Sequence, residues 1–218
     1  MADQITRPPT MPTPILPISS DSYISADEYM EHYAHDFYEW VDGEVYPMAP
    51  VADNHDELAA YCQDMFRAYF ALRPIGRVKE APFVLRLDSM KAYREPDLMV
   101  ILNNNPGQFT DTAMVGPADI CVEIISLESV DRDYGKKFVE YEAGGVKEYW
   151  LFDPIRAEAR FHRLNAEGRY QSQPLDADGN YESPLLPGLK IHVETLWESP
   201  LPDFFAIGEA VKAMLGKP

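Results

Sequence analysis

A chain of 218 residues, 46% hydrophobic and 25% charged, has the make-up of one globular domain with enough apolar surface for a sizeable core. No apolar run approaches the roughly 18 residues of a membrane span, and no charged-then-apolar export signal opens the chain, so the expectation is a soluble, cytoplasmic protein that does not engage membranes. A net charge of −17 argues against a broad basic nucleic-acid footprint, yet it leaves room for a metal site, where carboxylates gather and a bound cation inverts the local field.

Prolines 8, 9, 12, 14 and 17 and a lack of periodicity make residues 1–20 a flexible, polyproline-like arm, with 21–218 as a single domain. Ser25 followed by Glu28 has the form of a capping box and predicts a short helix. In FYEWVDGEVYPM (37–48), aromatic and β-branched residues flank Asp42-Gly43, a tight-hairpin signal, and Asp42 and Glu44 read as hairpin residues. The segment 54–73 is the clearest helix: Leu58, Tyr61, Cys62, Met65, Phe66 and Tyr69 recur at three- and four-residue steps, with Asn54 placed to cap it. Strands are predicted over 81–87, 97–102 and 119–126, then a helix over 133–143, then a strand over 148–153. A hairpin around Asn165–Gly168, the stretch PLLPGLKIHV and a helix near 203–214 complete the chain. The run from 119 to 153 is a βαβ-like unit, so the fold class is α/β or α+β: a mixed sheet flanked by helices, with peripheral hairpins. Cys62 and Cys121 sit far apart in apolar patterns and read as buried thiols of a reducing compartment.

Three residues carry the chemistry. Glu123 sits mid-strand in ICVEIIS, where an unpaired carboxylate is costly. It either bonds a structural partner, such as an arginine or backbone amides, or binds a cation. Asp97 opens the strand DLMVIL directly after Pro96. If the two strands are neighbours, both carboxylates project toward one point, and they repel unless a cation lies between them. Magnesium suits such a pair, with water and substrate phosphate completing its shell. On a regular helix, Tyr134, Phe138 and Tyr141 form one apolar stripe, with Lys137 about 50° from its centre and Lys136 turned outward to pair with Glu140. Lys137 can therefore lean toward the sheet, either to neutralise charge on a phosphate or simply to cover the core with its stem. His55, in the first turn of the 54–73 helix, shares a face with Leu58 and Cys62. It reads either as an auxiliary base or water holder, or as a helix-end histidine bonded to backbone. His32, His35 and Asp36 have a ligand-like spacing but lie in a polar helix end.

EPDL (95–98), VEIIS (122–126), Lys137 with Tyr141, and GVKEYWLFDP (145–154) resemble the Uma-two family, which is similar to the larger PD-(D/E)xK nuclease class. FYEWVDGEVYPM, the Asp53–His55 helix start and SPLLPGLKI (183–191) extend the resemblance over roughly residues 22–198. The resemblance implies a restriction-endonuclease-like core and a Mg2+- or Mn2+-dependent endonuclease acting on DNA. Asp97 and Glu123 would ligate the metal with help from the Ile124 carbonyl, and Lys137 would be the catalytic lysine. It also implies a homodimer, since such nucleases pair to cut two strands. The class's usual lysine position, two residues after the glutamate, is Ile125 here, and the lysine has moved to the following helix, a relocation that also characterises the family. The alternatives are a non-catalytic nuclease-like binding module, which the acidic charge favours, or a phosphodiesterase acting on a substrate other than DNA.

Overall fold

The computed structural model describes residues 23–34, 36–48 and 52–216; the predicted 1–20 arm and His35 lie outside the described residues. In chain order the elements are α1 (Ala26–His32), β1 (Tyr38–Val41), β2 (Glu44–Pro47), α2 (Asp53–Leu72), β3 (Gly76–Glu80), β4 (Val84–Leu87), β5 (Ala92–Arg94), β6 (Leu98–Leu102), β7 (Gln108–Phe109), β8 (Ala113–Val115) and β9 (Ile120–Ile124). A π-helical turn (Arg132–Lys136) then leads into α3 (Lys137–Gly144), β10 (Glu148–Asp153), β11 (Glu158–Leu164), β12 (Tyr170–Ser172), β13 (Asn180–Glu182), β14 (Lys190–His192) and α4 (Phe204–Met214). Among the described residues no helix is long and apolar enough to cross a membrane.

Local chemistry explains the entry into each element. Ser25 accepts a hydrogen bond from the Glu28 amide and caps α1 as expected. Asp42 (φ 46°) and Gly43 (φ 95°) both take left-handed backbone, the two-residue turn that matches strand twist, and they join β1 to β2. Helix α2 starts one residue earlier than expected. Ala52 occupies its cap without a side-chain bond, so Asn54 lies inside the first turn, where Asp53 and Asp56 complement the helix dipole instead.

The central sheet has the order β12-β11-β10-β9-β6-β3, with β9 and β10 parallel and α3 between them in sequence, as a βαβ unit requires. Both faces of this sheet are buried, and the strand period of two divides them. Leu98, Val100, Ile120, Val122, Trp150 and Phe152 pack against α2 and α4. Met99, Ile101, Cys121, Tyr149 and Leu151 pack on the other side with Tyr141 of α3. Full burial of each such side chain contributes about 1.5–3 kcal/mol. A second sheet, ordered β2-β1-β5-β4-β8-β7, supplies Leu85, Leu87 and Met114 to the same layer, so α3 touches both sheets. Strands β3 and β5 escaped the sequence reading: β3 is a largely polar edge strand and β5 has only three residues, so neither shows apolar alternation. Cys62 and Cys121 are free and buried.

Candidate active site

Glu123 occupies the α3-facing side of β9, in line with Cys121. The β6–β9 ladder ends at the pair Leu98↔Val122, and Asp97 stands one step beyond it, where the strands part. Its carboxylate replaces the missing ladder bond by accepting from the Ile124 amide at 2.6 Å. The same Oδ2 lies 3.3 Å from His55 Nε2, which reaches over from the first turn of α2. Burial opposes an imidazolium here, but the hydrogen bond and charge of Asp97, with Asp133 and Asp56, raise the His55 pKa above its ordinary value.

Lys137 enters from the opposite side. Its ammonium lies 2.9 Å from Glu123 Oε1, 3.0 Å from Glu39 Oε1 and 3.4 Å from Asp133 Oδ1, and the side chain is 1% exposed. Tyr141, one turn further along α3, donates to Glu123 Oε1 at 2.8 Å. Glu39 is held on its other oxygen by Arg94 at 2.8 Å. Arg94 in turn grips Glu140 through two bonds of 2.8 Å. The expected Lys136–Glu140 pair therefore does not form, because Glu140 is already engaged by a buried guanidinium; Lys136 instead lies 5.9 Å from the Tyr46 ring.

Four carboxylates (Glu39, Asp97, Glu123 and Asp133) thus crowd around Lys137 and Arg132, and burial and neighbouring charge together set the electrostatics. For Glu39, burial works against ionisation, but Lys137, Arg94 and Arg132 outweigh it and hold the carboxyl well below the usual range. For Lys137, burial opposes the charge, yet Glu123, Glu39 and Asp133 hold the ammonium firmly protonated. Glu123 is the group that yields: burial raises its pKa to about 8, and Asp133, Asp97 and Glu39 add to the effect of burial while Lys137 opposes it. The expectation that Lys137 lowers the Glu123 pKa holds for the sign of its contribution only, because desolvation is the larger effect.

Asp97, Glu123, Ile124, His55, Asp133 and Lys137 line one cavity of about 40 Å³, enough for an ion and a few waters. Asp133 Oδ1 is buried there with no hydrogen-bond partner among the described residues. That oxygen has only the ion pairs to Lys137 at 3.4 Å and Arg132 at 3.8 Å, and the carboxylates of the cavity outnumber its cations, a donor set that fits a divalent cation. No three His, Cys, Asp or Glu side chains among the described residues form a ready-made cage. His32 and Asp36 are outside this cavity, and His32 only approaches Glu31 at 3.9 Å on the surface.

Residues 26–194 match the family described as Uma2, "Putative restriction endonuclease". The chain belongs to the Uma2 family. No curated protein matches it. A solved structure from Anabaena variabilis, described as a putative nuclease belonging to DUF820, superposes with a TM-score of 0.66 at 16% identity. The superposition covers 78% of the present chain and 96% of the other. At that identity the likeness speaks for the fold, which is the restriction-endonuclease-like architecture expected from sequence. Family and fold agree on a nuclease-type hydrolase.

Sequence reading of this Uma2 chain missed Glu39, Asp133 and Arg94. Glu39 looks like the outward position of a hairpin strand, and nothing local shows that a second sheet folds over it. Asp133 did leave a signal: it precedes Lys137 by four residues, one helical turn, and so shares its face.

Proposed function

We propose that this Uma2 protein is a Mg2+- or Mn2+-dependent endonuclease that hydrolyses DNA phosphodiester bonds. The observation that carries the reading is the convergence of Asp97, just before β6, Glu123 of β9 and Lys137 of α3 on one small acid-rich cavity. Asp97 and Glu123 hold the cation, with the Ile124 backbone beside them. A divalent cation so held polarises a phosphate and acidifies a bound water. Lys137 neutralises charge that builds on the phosphate as it becomes five-coordinate. The surrounding groups preorganise these three: Tyr141 fixes Glu123, Glu39 fixes Lys137, and the Ile124 amide and His55 fix Asp97. His55, 3.3 Å from Asp97 Oδ2, orients that carboxylate. Pairing of two copies, and residence in the reducing cytoplasm, where thiols such as Cys62 and Cys121 stay free, belong to the same proposal.

Titration calorimetry with Mn2+ and a plasmid-nicking assay test it together. Asp97→Ala should abolish metal binding. Lys137→Ala should retain metal binding but lose at least about a hundredfold in kcat, the usual size of removing one group that stabilises transition-state charge. Metal binding untouched by Asp97→Ala, or full cleavage by Lys137→Ala, rejects the assignment.

A further inference from the structure

Beside the acid-rich cavity lies a second, larger one of about 300 Å³ that the proposed chemistry does not use. The two share a wall, since Arg132 lines both. The larger cavity is amphipathic. Tyr46 and Val41 give it an aromatic and aliphatic side, and Arg132 and Lys136 a cationic one. Its volume is at the lower end of small-ligand pockets, the scale of one nucleotide unit.

Arg132 pairs loosely with Glu39 and Asp133, while Lys136 has no carboxylate partner among the described residues. Arg132 Nε lies 3.7 Å from Glu39 and 3.8 Å from Asp133, beyond hydrogen-bonding distance, and has no hydrogen-bond partner among the described residues. Lys136 is exposed and lies 5.9 Å from the half-buried Tyr46 ring, the outer limit of a cation–π interaction, so it holds that ring only weakly. A cation without a carboxylate partner, as Lys136 is, stands out in a chain of net charge −17.

We infer that this cavity is a nucleotide subsite: Tyr46 stacks an unpaired base next to the scissile phosphate, while Arg132 and Lys136 hold the adjoining backbone phosphate. The inference rests on the nuclease reading and narrows its substrate to a strand with an unstacked base at this position, that is, single-stranded nucleic acid. A base still paired in a duplex cannot present its face to Tyr46. Glu128 and Asp131 line the same cavity and repel further phosphates, so the subsite takes one nucleotide unit entering past Arg132.

Fluorescence anisotropy on the Glu123→Gln background, which removes the need for cleavage, tests the subsite with a labelled single-stranded oligodeoxythymidylate and a duplex of the same length. The single strand should bind more tightly than the duplex. Tyr46→Ala and Lys136→Ala should each weaken it about tenfold, in line with stacking and phosphate contacts at single-strand sites. Tyr46→Phe, which keeps the ring, should restore the affinity, and Lys212→Ala on α4 controls for the loss of one charge. All variants are checked for an unchanged melting temperature. If wild-type protein nicks DNA with Mn2+ but Tyr46→Ala and Lys136→Ala bind the single strand normally, the subsite is wrong and the nuclease reading stands. Preference for duplex overturns it in the same way. Neither binding nor cleavage of any nucleic acid overturns both.

Discussion

Glu123 and Lys137 stand 2.9 Å apart and both are pushed toward holding protons: burial disfavours the Glu123 carboxylate, and three buried carboxyl groups favour the Lys137 ammonium. Metal-free protein should therefore keep Glu123 protonated near neutrality. An acid with a raised folded pKa binds its proton more tightly in the folded state, so its contribution to stability falls as pH rises from 4.5 to about 8 and is flat beyond. Denaturant unfolding of metal-free wild type and Glu123→Gln should show the wild type losing stability relative to the variant across that window; a constant difference would reject the shift. On the proposed reading a cation at Glu123 expels that proton, so Mg2+ affinity should rise about tenfold per pH unit below that pKa. Calorimetry in buffers of different ionisation enthalpy should register one proton released per ion, and a value of zero would show that Glu123 is already ionised. Both carboxylates and the lysine were legible because each breaks a pattern: an acid inside an apolar strand, an acid behind a proline, a lysine beside an apolar stripe.

Helix α3 shows what periodicity alone misjudges. A regular helix puts Tyr134, Phe138 and Tyr141 innermost, but the π-helical turn over Arg132–Lys136 changes the phase. The deepest residues are Asp133, Lys137 and Tyr141, at four-residue steps, while Tyr134 and Phe138 lie half-buried at their flank. Tyr149 holds the turn in place by donating to the Asp133 carbonyl at 2.9 Å. The β10 motif GVKEYW, which helped mark the family, is architectural by contrast. Lys147 bonds Asp119 at 2.6 Å. The buried Glu148 accepts from Trp150, Tyr181, Ser183 and Arg163. Glu148→Ala strands these donors and should cost about 3–5 kcal/mol in urea denaturation. Mn2+ affinity of the folded variant should stay unchanged, and a loss there would mean that β10 shapes the cavity directly.

At the scale of the whole molecule, a chain of net charge −17 cannot hold nucleic acid by a wide basic face. On the proposed reading, binding rests on the cation at the carboxylates and a few residues such as Arg132, Lys136 and Lys137. The dependence of log K on log salt should therefore be shallow, with a slope of about −1 to −3, as for two to four neutralised phosphates. A slope steeper than about −6 would reveal a basic surface contributed by another part of the assembly.

The sequence by itself determined the elements whose signals are local. The capping box at Ser25, the Asp42-Gly43 turn, the apolar face of α2 and the strands flanking α3 depend on near neighbours, and each has a strong chain-level signature. It also pointed to Asp97, Glu123, His55 and Lys137, through pattern-breaking charge, through the helix face His55 shares with Leu58 and Cys62, and through the family resemblance. Only the tertiary structure decided which charges meet. Glu39 lies 84 residues before Glu123 in numbering (123 − 39), yet both reach one ammonium, because α3 stands between the two sheets. Arg94 likewise takes Glu140 from Lys136 across 46 residues of sequence. Long-range electrostatic pairing depends on how sheets stack, and sheet stacking leaves no periodic trace in the residues that it brings together.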